Sequence, residues 1–182
     1  MRVAFVGNSY TYFNDLPTVL ATLAALTPAR IDLHHKQVTP GGSSLADHAN
    51  LSKASGVATA AMLAEEQGWD YVVLQDQSQT PGGGKDGDSG EVAGVARAKT
   101  VAALRSFYAP AIASASATPV LYSTWGRHGG DPLNAECCGY GTVEGMTRRT
   151  TAGYAAYAAA LREAVVPPLP DEALAGAPPP PP

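Results

Sequence analysis

The sequence is short of charge, of cysteine and of long apolar runs, and each shortage removes a class of answer. Twelve Lys and Arg stand against sixteen Asp and Glu for a net charge of −4, and only 15% of the 182 residues are charged. The basic residues are scattered rather than clustered, so we expect neither a nucleic-acid partner nor a membrane surface. The two cysteines are adjacent, Cys137 and Cys138. As neighbours they cannot staple distant segments, and without the two-residue spacer of a zinc hairpin or a second pair they do not suggest a metal. They read as two thiols, which gives oxidising secretion no support. No apolar run approaches the roughly 20 residues of a membrane span. The chain starts on a strand rather than on a charged-then-apolar leader, so a cytoplasmic location is the default expectation.

What is present is enough apolar material for one sizeable core, 45% of the residues. Val3 to Val6 and Tyr71 to Leu74 are continuous apolar runs of the kind found in strands buried on both faces. Arg30 to Val38 alternates and suits an edge strand, and Pro119 to Thr124 suits a fourth. Between them, Leu16, Val19, Leu20 and Leu23 recur at helical spacing behind Asn14 or Asp15 as a cap, which predicts a helix packed on the sheet. Residues 54–67, 91–108 and 148–165 are further helices, whereas 80–90 and 125–145 read as loops. Strand and helix alternate throughout, the signature of a parallel sheet in an α/β fold. Residues 1–166 are expected to form that domain, and the proline-rich 167–182 a disordered tail.

Parallel sheets bind ligands beyond the carboxyl ends of their strands. Four polar clusters fall there: Gly7-Asn8-Ser9 after the first strand, Gly41-Gly42-Ser43 after the second, Gln75-Asp76-Gln77-Ser78 after the third, and Trp125-Gly126-Arg127-His128 after the fourth. A serine lifted on a tight strand-to-helix turn suits nucleophilic attack on an ester carbonyl. The backbone N–H groups of Ser9 and Gly42 and the side-chain amide of Gln77 are then candidate donors for the oxyanion.

The set Gly-Asn-Ser-Tyr-Thr, Gly-Gly-Ser-Ser-Leu and Val-Val-Leu-Gln-Asp-Gln-Ser resembles the SGNH/GDSL hydrolase superfamily, in a branch with Gly-Asn-Ser in the first block and Gln-x-Gln-Ser in the third. The resemblance covers about Val3 to Tyr122 and, more weakly, 124–125 and 150–154. It implies a flavodoxin-like three-layer α/β/α sandwich with a parallel sheet. It also implies a serine esterase working without cofactor or metal on a small acyl ester, in some cases on a carbohydrate. By position, Ser9 corresponds to the nucleophile, Gly42 to the second-block oxyanion donor and Gln77 to the third-block donor, while Asn8 stands where most members carry Asp.

The superfamily's last block, Asp-x-x-His after a fifth strand, has no counterpart here, because the segment at Pro170 to Leu174 holds acids but no histidine. The expectation is therefore a four-stranded sheet with the fifth strand missing and a domain incomplete at its C-terminal end. Four histidines could replace the base. His34 and His35 lie mid-strand and read as surface or packing residues; His48 follows the glycine loop closely enough to touch substrate; His128 follows the fourth strand and is the best-placed substitute. The alternative to a serine esterase is a non-catalytic protein of the same fold that binds a small polar ligand.

Overall fold

The computed structural model describes residues 1–85 and 92–165. The proline-rich stretch 167–182, the acidic segment at Asp171 and the boundary at 166 lie outside the described residues. Four strands, β1 (Arg2–Val6), β2 (His34–Val38), β3 (Tyr71–Leu74) and β4 (Thr118–Leu121), form one parallel sheet in the order β2-β1-β3-β4. The chain runs from β1 outward to β2 and then crosses to the other side of β1, so the strand order reverses between β1 and β3. Crevices for ligands open at such a reversal.

The alternation of side chains divides the core unequally. Ala4, Val6, Val72 and Leu74 face a large cluster built from α4 (Ala54–Leu63), α5 (Val95–Ala103), α6 (Ala109–Ser114) and α8 (Val143–Val165), with Met62, Leu104, Tyr108, Ile112, Tyr157 and Leu161 among its members. Val3, Phe5 and Val73 face the other way, against Ala21 and Ala24 of α2 (Leu16–Leu26). This orientation corrects the helix reading. Helix α2 lays its small residues Ala21 and Ala24 on the sheet with Pro17 also buried, and Val19, Leu20, Leu23 and Leu26 face outward at 41 to 77% exposure. Nor do Asn14 and Asp15 cap it by side chain: both sit at positive φ, 57° and 52°, a region these two residue types tolerate, and no cap hydrogen bond forms.

Other differences have equally local causes. The edge strand begins at His34 because Arg30 and Ile31 donate their N–H groups back to Thr27 and Ala24, closing the end of α2 before the sheet is reached. A π-turn over Leu104–Tyr108 joins α5 to α6, with Ala109 N–H donating to the Leu104 carbonyl. Pro110 follows at once; it has no N–H to give and its ring crowds the preceding turn, so the wider turn admits it without ending the rod. The segment 125–145 is folded rather than open: α7 (Ala135–Cys138) lies within it, Asp131 N–H bonds the Tyr140 carbonyl at 2.7 Å, and Asp131, Asn134 and Tyr140 are buried. Residues 80–85 also pack, with Thr80, Pro81, Gly83 and Gly84 buried, where the sequence suggested a mobile loop. Cys137 and Cys138 are joined as a vicinal disulfide in place of the two expected thiols.

Candidate active site

Ser9 is the first residue of α1 (Ser9–Tyr12), one turn past β1 and at the point where the strand order reverses. It is half-buried. Asn8 caps that turn and ties three strand ends together. Its Oδ1 accepts from Tyr10 N–H at 3.1 Å and from Gln75 Nε2 at 3.0 Å, while its Nδ2 donates to the Ser43 carbonyl at 2.9 Å. An aspartate could accept both bonds but could not make the third. The amide at this position is thus accounted for by the carbonyl it faces.

Gln75, the first residue past β3, is completely buried and holds the serine turn from beneath. Its Oε1 accepts from Asn8 N–H at 2.9 Å and from the Thr11 hydroxyl at 2.8 Å, and its Nε2 donates to Asn8 Oδ1 and to the Asp76 carbonyl. Gly7 leaves room for this clamp: a Cβ there would lie 2.5 Å from Thr11 Oγ1 and 2.6 Å from Gln75 Oε1. In the sequence, Gln75 reads as no more than a polar strand end.

Asp76 anchors the second and third clusters. Its Oδ1 accepts from Leu45 N–H at 2.8 Å and Gln77 N–H at 2.9 Å, and its Oδ2 from the hydroxyls of Thr100 at 3.0 Å and Tyr157 at 2.7 Å. Burial pushes its carboxyl up to about 6 from 3.8, against the pull of these four donors. Helix α3 (Leu45–His48) starts here, with Ser44 and Asp47 forming a reciprocal capping box. The glycine loop that precedes α3 is thereby fixed in place next to the serine turn, with Gly42 at φ 74° and exposed.

Three donors in this region are uncommitted among the described residues. Ser9 N–H, at the start of α1, and Gly42 N–H have no protein acceptor, and Gln77 uses only its Oε1, which accepts from Gln79 N–H at 2.7 Å. They belong to the three positions that sequence reading selected for an oxyanion. A groove of about 600 Å³ opens beside Ser9, walled by Tyr10, Tyr12, Phe13, Asn14, Leu16, Val19, Tyr122 and Trp125; Gly42 and Gln77 are not among its walls. Trp125 packs edge-on to Tyr10, with centroids 5.0 Å apart, and against Tyr122 at 6.4 Å.

The histidines divide differently from expectation. His48 does not lie open at the rim. It is fully buried, its Nε2 donating to the Gly7 carbonyl at 2.8 Å and its Nδ1 accepting from the Thr59 hydroxyl at 3.0 Å, and burial lowers its proton affinity. It is a prop under the serine turn. His34 pairs with Asp32, His35 lies against the Thr18 hydroxyl at 3.4 Å, and His128 is exposed. Among the described residues, no imidazole or carboxylate hydrogen-bonds the Ser9 hydroxyl. Arg127 reaches the Ser78 hydroxyl at 3.2 Å and lies 3.9 Å from Asp131.

A search of solved structures finds a protein from Slackia heliotrinireducens, described as "a putative SGNH hydrolase", with a TM-score of 0.66 at 29% identity. The match covers 87% of this chain and 74% of that one. The chain is SGNH-hydrolase-like. The parallel sheet flanked by helices is the flavodoxin-like sandwich that this superfamily uses. No family model matches the sequence, and no curated protein does.

Proposed function

We propose that this SGNH-like chain is a serine esterase, with Ser9 as nucleophile and Ser9 N–H, Gly42 N–H and the Gln77 amide as oxyanion donors. The observation that carries the reading is the coincidence at one sheet crevice of a half-buried serine and three donors with no acceptor of their own. In the reaction, Ser9 Oγ bonds to the ester carbonyl carbon and the carbonyl oxygen becomes an anion facing the donors. Collapse breaks the ester C–O bond, and the alcohol leaves with the proton that the serine gave up. Water then attacks the acyl-serine, releasing the carboxylic acid and restoring Ser9. Residues 1–166 are the catalytic unit in this reading, and the substrate is a small molecule.

A second reading, a non-catalytic binder of the same fold, draws on the lack of any described base at Ser9. Hydrolysis of p-nitrophenyl acetate and labelling by a fluorophosphonate, each compared with Ser9→Ala, separate the two. The esterase reading expects turnover and labelling that the variant loses. A folded wild-type protein that matches Ser9→Ala in both assays overturns it in favour of the binder.

A further inference from the structure

The groove beside Ser9 is lined by Ser9 itself but by neither Gly42 nor Gln77. Its walls carry no Asp, Glu, Lys, Arg or His. Five of its residues are aromatic, Tyr10, Tyr12, Phe13, Tyr122 and Trp125, and Leu16 and Val19 close the α2 side. Several stay open to solvent at a cost: Phe13 is 68% exposed, Trp125 50%, Val19 45% and Tyr12 44%. A volume of about 600 Å³ falls within the usual range for small-ligand sites and far exceeds what an acetyl group would fill. The backbone is shaped to make it, since Asn14 and Asp15 at positive φ turn the chain sharply between α1 and α2 and set Tyr12 and Phe13 on the groove wall.

We propose that this groove receives the acyl side of the ester, an extended uncharged apolar group, so that the enzyme prefers substrates well beyond acetyl. The proposal rests on the esterase reading for its location, but the groove's occupancy can be measured without turnover. The acyl group is either a straight chain or an arylalkyl chain, both of which the aromatic walls would cover. A sugar ring would need a set of directional polar partners, and the lining offers only Ser9, Asn14, three phenols and the Trp125 indole N–H against nine walls that carry no charge.

Two measurements test it. In the first, kcat/KM is compared across p-nitrophenyl acetate, butyrate, hexanoate, octanoate and 3-phenylpropanoate. Burial of each added methylene should raise it roughly fourfold until the groove is full, and the rise should flatten in Trp125→Ala. Whichever of octanoate and 3-phenylpropanoate gains more identifies the acyl type. In the second, the fluorescence of Trp125 is followed in Ser9→Ala as methyl ketones from acetone to 2-decanone are added, with Trp125→Phe as the blank, since Trp69 is buried elsewhere. A shift that strengthens with chain length supports the proposal even if no ester is turned over, which would overturn the esterase reading alone. Turnover with no chain-length dependence, ketone binding with none, or a fluorescence response to methyl glucoside in place of the ketones overturns the groove assignment.

Discussion

Replacing Asp76 by Asn offers a direct measure of what this buried carboxyl costs the fold. Four donors converge on Asp76, and taken alone they would hold its carboxylate ionised; burial works in the other direction and prevails, leaving the group near 6. In the unfolded chain the same group titrates near 3.8. Between these two values the folded state holds a proton that the unfolded state has released, so stability from this residue is present in full at low pH and is lost as pH rises toward 6. Tenfold in proton affinity is about 1.4 kcal/mol, so the complete swing is about 3 kcal/mol.

The carboxamide introduced by Asp76→Asn would keep the geometry. Its oxygen can accept from Leu45 and Gln77 N–H, and its NH2 can donate to the Thr100 and Tyr157 hydroxyls, which turn to present a lone pair. Whatever that rearrangement costs does not vary with pH. Urea denaturation of both proteins at a series of pH values therefore isolates the charge, because every other titrating group cancels in the difference. The variant should gain on the wild type by about 2 kcal/mol between roughly pH 4.5 and 7.5, the part of the swing that lies in this window. A constant difference would mean that burial and donors balance. A variant that loses ground as pH rises would mean that the donors prevail, and the argument from burial would be wrong.

Further expectations follow from the clamp around Ser9. Asn8→Asp sets a carboxylate oxygen against the Ser43 carbonyl in place of a donor and should cost about 1–3 kcal/mol, read as a lower urea midpoint with reduced fluorophosphonate labelling. Gly7→Ala forces a Cβ onto Thr11 Oγ1 and Gln75 Oε1 and should destabilise by about 1–3 kcal/mol, visible in the thermal melt; an unchanged Tm would show that the clamp is slack. His48→Gln tests prop against base. The neutral buried ring stabilises the fold above its unfolded value of 6.5 and loses that contribution as pH falls below it, so the variant should be less stable at neutral pH, with the gap narrowing in acid. If His48 is a prop, the variant's folded fraction keeps the wild-type pH–rate profile; loss of an acid-side inflection lying below the ordinary histidine value would make it a base after all. His128→Asn, at an exposed position, should leave stability within about 0.5 kcal/mol. A large drop in labelling at Ser9 would identify it as the substitute base.

The sheet was legible because strands buried on two faces write their own pattern: Val3–Val6 and Tyr71–Leu74 contain nothing else that would explain eight apolar residues in two tight runs. The serine turn was legible because glycine and a capping residue announce a strand-to-helix junction. What stood behind the turn was not. Gln75 and Asp76 are polar, and polarity at a strand end ordinarily signals solvent; here both are fully buried, and their partners Thr11, Leu45, Thr100 and Tyr157 lie 24 to 81 residues away. His48 was misjudged for the same reason, since its distance from the glycine loop is short in sequence but its ring points under Gly7. The direction of α2 was hidden by a rule that usually succeeds. Its leucines mark one face and its alanines another, and the sheet took the alanines, whose small size lets the helix sit close over Val3, Phe5 and Val73.

These placements separate the positioning of Ser9 from proton acceptance. Positioning is done by a buried set of amide and carboxyl groups: Asn8 joins the first and second clusters, Gln75 the first and third, and Asp76 the second and third. The three pairwise ties close a triangle behind the serine turn, so moving any one strand end strains two others, and His48 props the same turn through the Gly7 carbonyl. Proton acceptance has no such scaffold among the described residues, since the one buried histidine spends both nitrogens holding up the turn. A chain built this way holds its serine turn in place whether or not a base is at hand. Reactivity at Ser9 and binding in the groove beside it are therefore separate properties, and evidence for one does not stand in for the other.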